Sequence, residues 1–367
     1  MNLNVAMVVE QLWQPVPGGS GRYITELVRD LPGAGVRPVG VAAHHHRSAP
    51  DALDFGLNIP VVHSRLPRSV LYASWDYLHC PSVDKLADGT DLVHATTWTI
   101  PPTKRPLVVT VHDTAFMREP SNFTRHGVQY FKRALELTRR RADAVIVPSR
   151  MTASDCEAAG IEQSLIHVIP HGVRVLTVTQ ERVAQFRRLH SLRNPYVLWV
   201  GTREPRKNLG TLLKAFQSIV RTSGLDLVLV GPAGWGDDAT ERELVAKLPP
   251  DRFHSLGRLR DDELDAAYAG AQVFCFPSSW EGFGLPVLEA MAHGVAVVTS
   301  KGTSMEEVVG SHAVLVDPMS PEDVGAGILE AAGPRHAQLM LEGRRRASEF
   351  TWQACASAHA RVYRDLV

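Results

Sequence analysis

The stretch Val273-Phe274-Cys275-Phe276-Pro277-Ser278-Ser279-Trp280-Glu281-Gly282-Phe283-Gly284-Leu285-Pro286-Val287-Leu288-Glu289 reads as a strand, a glycine-rich turn and the start of a helix. Four apolar residues, Val273 to Phe276, form a short buried strand. Pro286 suits the first helical position, where its missing N–H leaves no hydrogen bond unmade, and Gly294 stands where a helix C-cap belongs. Gly282 and Gly284 let the backbone approach a ligand closely, and the N–H groups of the helix start favour an anion. Glu281 then falls in the loop and Glu289 in the first turn of the helix. A carboxylate on either side of such a turn suits a sugar joined to a phosphate. The plain alternative is a solvated Glu281 and a Glu289 that only complements the helix dipole.

The same alternation of apolar runs and helical patterns continues in both directions, which predicts parallel sheets of βαβ units. In the first half, strands are expected at Asn4 to Val9, Arg37 to Ala42, Leu92 to Ala95, Leu107 to Val111, Ala144 to Pro148 and Ile166 to Ile169. Helices are expected at Gly21 to Asp30 and Arg125 to Arg141. In the second half, strands are expected at Tyr196 to Val200, Leu225 to Val230, Phe253 to Leu256, Val273 to Phe276, Val295 to Thr299 and Val314 to Val316. With 367 residues the chain exceeds what one core organises. The reading is an α/β protein of two Rossmann-like, doubly wound domains, residues 1–175 and 190–350. A helix over 351–367 packs back on the first domain. Two such domains facing each other leave a cleft at the carboxyl ends of their strands, where ligands bind.

Charges balance at 39 basic and 39 acidic residues, which argues against an electrostatic attraction to nucleic acid. No apolar run approaches a spanning helix. Met1 to Glu10 reads as an opening strand rather than a signal peptide. Cys80, Cys156, Cys275 and Cys355 form no C-x-x-C pair, so neither a zinc site nor a disulfide framework is signalled. A reducing cytoplasm is the simplest location.

Thr202-Arg203-Glu204-Pro205-Arg206-Lys207-Asn208 follows the strand at Tyr196 and precedes a helix from Leu209. Arg206 offers a planar fork of donors and Lys207 a compact charge, which together suit a diphosphate. A solvated basic loop is the bland reading, and the position at the mouth of the same sheet as Glu281 outweighs it. Gly18-Gly19-Ser20-Gly21 precedes the first predicted helix and matches neither G-x-G-x-x-G nor a P-loop. His112 ends the strand at Val108 and would emerge at a sheet edge to meet a substrate hydroxyl; a backbone-satisfied histidine is its alternative, as it is for His171. His44, His45 and His46 are read as a surface loop. Two carboxylates also suggest glycoside hydrolysis, but that needs both to flank one bond, whereas Glu281 and Glu289 spread along a ligand. No D-x-D triplet occurs, so no metal or other cofactor is expected, and Arg206, Lys207 and the helix start would neutralise the diphosphate.

These residues together resemble the retaining glycosyltransferase family 4, whose members adopt the GT-B fold. The resemblance rests on Gly-Gly-x-Gly-Arg-Tyr from Gly18, Val-His-Asp at Val111, Pro-His-Gly-Val at Pro170, Val-Gly-Thr-x-Glu-Pro-Arg-Lys-Asn from Val200, and Glu-Gly-Phe-Gly-Leu-Pro-x-Leu-Glu-Ala from Glu281, the family's E-x7-E motif. It implies that the first domain is acceptor-side and the second binds the nucleotide-sugar donor. By that resemblance Glu281 meets the donor sugar and Glu289 the ribose. Arg206 and Lys207 hold the diphosphate with backbone amides of Gly282, Phe283, Gly284 and Leu285. Gly19 approaches the phosphate, and His112 lies against the transferred sugar. Thr202 stands where many members carry arginine, so Arg203 receives no phosphate role. The pattern resembles bacterial mannosyl- and rhamnosyltransferases. The expected donor is GDP-mannose, with dTDP-rhamnose, UDP-glucose or UDP-GlcNAc as alternatives. The expected acceptor is a hydroxyl of a glycan, glycolipid or lipid-linked saccharide in cell-surface polysaccharide synthesis. A non-catalytic nucleotide-sugar binding protein is the alternative from another class; a GT-B epimerase or phosphorylase and a dehydrogenase rank lower. Arg125, Lys132, Arg133, Arg139, Arg140 and Arg141 suggest a helix that faces an anionic membrane surface, with a solvated basic face as the alternative.

Overall fold

The computed structural model describes residues 2–46, 49–174, 176–234 and 238–367. Met1, at the start of the expected opening strand, and Val175, the expected end of the first domain, lie outside them. The chain divides into two compact units, Met1–Gly172 with Thr351–Val367, and Val173–Phe350.

The first unit holds seven strands: β1 (Leu3–Val8), β2 (Val36–His44), β3 (Val61–Pro67), β4 (Leu92–Ala95), β5 (Leu107–Thr110), β6 (Ala144–Val147) and β7 (Ile166–Val168). They form one parallel sheet in the order β3-β2-β1-β4-β5-β6-β7. The second holds β8 (Tyr196–Val200), β9 (Asp226–Val230), β10 (Phe253–Ser255), β11 (Val273–Phe276), β12 (Ala296–Ser300) and β13 (Val314–Val316), also parallel, in the order β10-β9-β8-β11-β12-β13. Both are doubly wound, with the order reversing between β1 and β4 and between β8 and β11. The central strands β4, β5, β6, β9, β11 and β12 are buried along their whole length, because helices cover both faces of a parallel sheet.

One strand escapes the sequence reading. β3 is an edge strand whose polar His63, Ser64 and Arg65 break any apolar run. The first helix also begins earlier than expected, at Gly18 rather than Gly21. Gly18 and Gly19 are therefore inside its first turn, not ahead of it. The triple histidine is not a simple surface loop: His44 ends β2, while the His45 ring stacks on Trp13 at 4.8 Å and its Nε2 lies 3.0 Å from Oε2 of the buried Glu10. The basic helix Arg125–Arg141 is not a free cationic face either. Arg139 and Arg140 pair with Glu136, and Arg133 lies 4.2 Å over the Tyr77 ring.

The terminal helix Trp352–Asp365 buries Trp352, Cys355, Ala356, Ala360 and Tyr363 in the first unit's core with Tyr23, Leu27 and Leu31. Gly172 permits this close approach, since a Cβ there would lie 2.3 Å from the Trp352 nitrogen. A buried hydrogen-bond chain ties the helix down. His359 Nδ1–H donates to the Cys355 carbonyl at 2.8 Å, so its Nε2 accepts from Tyr23 at 2.8 Å. Thr110 then donates to Tyr23 at 2.9 Å, His94 Nε2–H to Thr110 at 2.8 Å, and Tyr363 to His94 Nδ1 at 2.8 Å. Every donor in this chain has one acceptor, and the histidines must be neutral to complete it.

Burial enforces that neutrality. It pushes His94 and His171 well below the ordinary 6.5 and brings His112 and His359 down to about 4. Unfolded histidines bind protons between 6.5 and 4 that the folded ones refuse, so stability is full above 6.5 and falls as pH drops toward 4. For fully buried His359 the depression corresponds to roughly 3 kcal/mol. The thermal midpoint should therefore drop steeply between pH 6.5 and 4. A flat profile over that window would contradict the neutral chain.

Candidate functional site

Strands β8 and β11 flank the order reversal of the second sheet, so the loops that leave them emerge side by side. The β8 loop makes one short turn, Pro205–Lys207, ending at Asn208 in the left-handed region with φ 54°. Asparagine tolerates that conformation, and its amide donates to the Pro277 carbonyl at 3.1 Å, past the end of β11. The Arg206 carbonyl accepts from the Ser279 amide at 2.7 Å and the Ser278 hydroxyl at 3.0 Å. The helix Leu209–Ser223 follows. Asn208, Ser278 and Ser279 thus lace the two loops together. Sequence reasoning missed all three, although Asn208 before a helix and the Ser-Ser pair after a strand were its available signals.

The lacing gathers three of the expected site residues. Glu281 Oε2 lies 2.6 Å from Arg206 and Oε1 lies 3.6 Å from Lys207 Nζ and 3.1 Å from the Ser278 hydroxyl. Glu281 and Lys207 are buried, and Arg206 is half-buried. Lys207 also stands 5.1 Å from the Phe276 ring centroid, where the π face favours a cation. Arg206 further reaches the Trp280 carbonyl at 2.9 Å and Glu204 at 3.3 Å. Burial by itself would raise the Glu281 pKa, but Arg206 first and then Lys207 hold it below the usual carboxylate value. The residues expected on the sugar and on the phosphate thus form one contiguous ion cluster.

The helix that follows is Leu285–Ala292, so Pro286 is its second residue, not its first. Glu289 accordingly lies in the second turn rather than the first. Its carboxylate accepts from the Tyr268 hydroxyl at 3.0 Å. The N-cap residue is Gly284, which has no side chain to cap the helix and adopts φ 93° against Met305. Ser304 donates to the Glu281 carbonyl and steadies the turn. Phe283 turns its ring into the core near Phe350. Gly294, with φ 71°, follows the C-cap His293 in the left-handed conformation that glycine permits.

Gly19 and His112 belong to the first unit. Gly19 is exposed in the first turn of Gly18–Asp30. His112 follows β5, half-buried, with Nε2 2.9 Å from the Thr96 carbonyl and its ring edge-to-face with Tyr23 at 4.8 Å. A carbonyl only accepts, so Nε2 carries the proton and Nδ1 the lone pair. His171 is buried and stacked on Trp352 at 5.9 Å. Among the described residues no group of three or more His, Cys, Asp or Glu gathers to hold a metal, and no helix is long and apolar enough to cross a membrane.

Two doubly wound parallel sheets with these loops define the GT-B class, and solved structures agree. HepE from Anabaena, solved with UDP and glucose, matches with a TM-score of 0.78 at 19% identity, over 99% of this chain and 100% of that one. Sucrose-phosphate synthase from Thermosynechococcus elongatus matches with a TM-score of 0.78 at 21% identity over 99% of each chain. Residues 17–177 match the family described as Glycosyltransferase Family 4 and residues 181–337 that described as Glycosyl transferases group 1. Both are families of glycosyltransferases, and the two matches together take in most of the chain, as the motifs led us to expect. O-antigen chain mannosyltransferase B of Escherichia coli is 36% identical over 175 residues, covering 47% of this chain and 46% of that protein. MMP alpha-(1->4)-mannosyltransferase of Mycolicibacterium hassiacum is 32% identical over 234 residues, covering 60% and 55%. The chain spans about half the length of these curated relatives.

Proposed function

We propose that this protein transfers a hexose, mannose from GDP-mannose in the first instance, to a hydroxyl of a glycan or lipid-linked saccharide in polysaccharide synthesis, with retention of configuration. The observation that carries this reading is the buried Glu281–Arg206–Lys207 cluster at the strand-order reversal, beside the start of the helix Leu285–Ala292. Relatives named as mannosyltransferases support the choice of sugar. Arg206, Lys207 and the amides of Gly282 to Leu285 stabilise the charge that builds on the leaving diphosphate. That diphosphate accepts the acceptor's proton as the new bond forms on the same face. Glu281 orients the cations and takes donor hydroxyls, Glu289 takes the ribose, and Gly19 approaches the phosphate. His112, with its lone pair on Nδ1, receives a hydroxyl of the transferred sugar. Arg206 and Lys207 carry the charge in place of a metal ion.

A thermal-shift panel of nucleotide sugars tests the donor, since a ligand at 100 times its Kd adds roughly 2.7 kcal/mol. Lys207→Ala should lower kcat/KM by about tenfold or more through loss of one charge-assisted contact, and EDTA should leave wild-type turnover unchanged. Release of GDP on mixing donor with acceptor separates turnover from binding alone. Equal rates in wild type and Lys207→Ala would reject the assignment.

Contact with an anionic membrane surface rests on a different segment from the basic helix alone. Tyr77 and Leu78 are 67% and 71% exposed, and Arg133 lies over the Tyr77 ring. An apolar tip beside a cation suits the interface of a bilayer that holds a lipid-linked acceptor. Sedimentation with phosphatidylglycerol vesicles at low salt should fall at least severalfold in Leu78→Asp. Unchanged sedimentation would remove the idea.

A further inference from the structure

The helices Asp261–Ala269 and Leu285–Ala292 are joined by two side-chain rungs. In the upper one the Tyr268 hydroxyl donates to Glu289 Oε2 at 3.0 Å. In the lower one His293 Nε2 lies 2.9 Å from Asp265 Oδ1. The rungs also touch each other, because the Tyr268 and His293 rings stack with centroids 5.4 Å apart and planes 11° from parallel. Asp265 and Tyr268 are three residues apart on one helix, and Glu289 is four residues ahead of His293, the C-cap of the other, so each pair lies on one side of its helix. Tyr268 is 1% exposed and His293 8%.

From this arrangement we infer that Tyr268 is a positioning residue that fixes the Glu289 carboxylate for a ribose diol, and thereby makes the protein discriminate ribonucleotides from deoxyribonucleotides. The inference rests on the donor reading above. A glutamate on a helix surface has three rotatable side-chain bonds, and ordering it on ligand binding costs free energy. Tyr268 prepares that order in advance. Its own ring cannot swing, since it is buried and stacked on a histidine that Asp265 holds. A carboxylate offers about four acceptor sites. Tyr268 takes one on Oε2 and sets the plane of the group, so that the remaining acceptor directions point the same way in every molecule. A ribose presents two adjacent hydroxyl donors, and only a carboxylate fixed in plane and direction can meet both. A sugar lacking a hydroxyl leaves an acceptor unmatched.

Calorimetric titration of GDP and 2′,3′-dideoxy-GDP against wild type, Tyr268→Phe and Glu289→Gln tests this. Wild type should bind GDP at least tenfold more tightly than the dideoxy form. In Tyr268→Phe, which keeps the ring and its stack, that ratio should shrink to threefold or less, mainly through weaker GDP binding. The double variant should bind GDP no more weakly than Glu289→Gln, because both changes remove one coupled contact. Asp265→Asn, which loosens the lower rung without touching the tyrosine, should reduce the ratio partially. A merely structural role would weaken both nucleotides equally and leave the ratio intact, and an intact ratio in Tyr268→Phe overturns the inference. So does a wild type that binds both forms alike. Failure of the donor reading is visible separately, as wild type that binds none of GDP, UDP or their sugar conjugates.

Discussion

Glu281→Ala should lower kcat/KM by about a hundredfold or more and depress the thermal midpoint as well. The carboxylate bridges a buried lysine and a half-buried arginine, at 3.6 and 2.6 Å. Removing the carboxylate takes this partner from the buried lysine, at a cost of about 3–5 kcal/mol, while Arg206 keeps Glu204 at 3.3 Å. The two cations would then repel, although the Arg206 carbonyl keeps its bonds from Ser278 and Ser279. Glu281→Gln keeps the shape and the Ser278 contact but not the charge, so its loss should be intermediate. Because the folded pKa of Glu281 is depressed, its contribution is present above the usual carboxylate value and disappears only as pH falls through the lowered one. Acid should therefore act in two windows, first on the histidines of the first unit and then on this cluster. Steady-state kinetics and a pH series of midpoints check both points. Wild-type kcat/KM in Glu281→Ala would exclude Glu281 from the site.

Gly231→Ala should be the most damaging single methyl in the second unit. Gly231 follows β9 with φ 137°, and a Cβ there would lie 1.9 Å from the Gly201 carbonyl oxygen and 2.7 Å from its carbon. Neither contact can be relieved by a side-chain rotation, since both involve backbone at the exit of β8. Backbone strain and overpacking each cost roughly 1–3 kcal/mol, so a total of about 3 kcal/mol or more is expected. The displaced Gly201 leads straight into the Arg206–Lys207 turn, and donor affinity should fall with stability. Gly210→Ala is the control: its Cβ would meet nothing closer than 4.0 Å, inside the helix Leu209–Ser223. It should stabilise by up to about 1 kcal/mol through helix propensity. Denaturation midpoints of the two variants decide the matter, and a wild-type midpoint in Gly231→Ala would refute the clash.

The positions of the inner strands were readable because strands covered on both faces carry unbroken apolar runs, as in Val273 to Phe276 or Leu92 to Ala95. β3 was unreadable for the converse reason, since an exposed edge tolerates His63 and Arg65. Helix starts were less certain where glycine imposes nothing, hence the shift from Gly21 to Gly18. Among the candidate residues, Arg206, Lys207 and Glu281 could be named from their loops. Their ion cluster could not, because it depends on β8 and β11 being neighbours although 72 residues lie between Val200 and Val273.

The amino-acid sequence by itself determined two parallel, doubly wound units, the turn after β11, the paired cations after β8 and the glycosyltransferase family that these motifs signal. Local chemistry suffices for that: apolar periodicity, glycine turns and charges at helix starts are properties of short segments. Only the tertiary structure decided that Glu281 is buried between Arg206 and Lys207, that Glu289 is held by Tyr268, and that the last helix closes the first unit's core through His94, Thr110, Tyr23 and His359. Each of these joins side chains from separate elements. Burial, ion pairing and hydrogen-bond direction arise only when the sheet order sets those elements side by side.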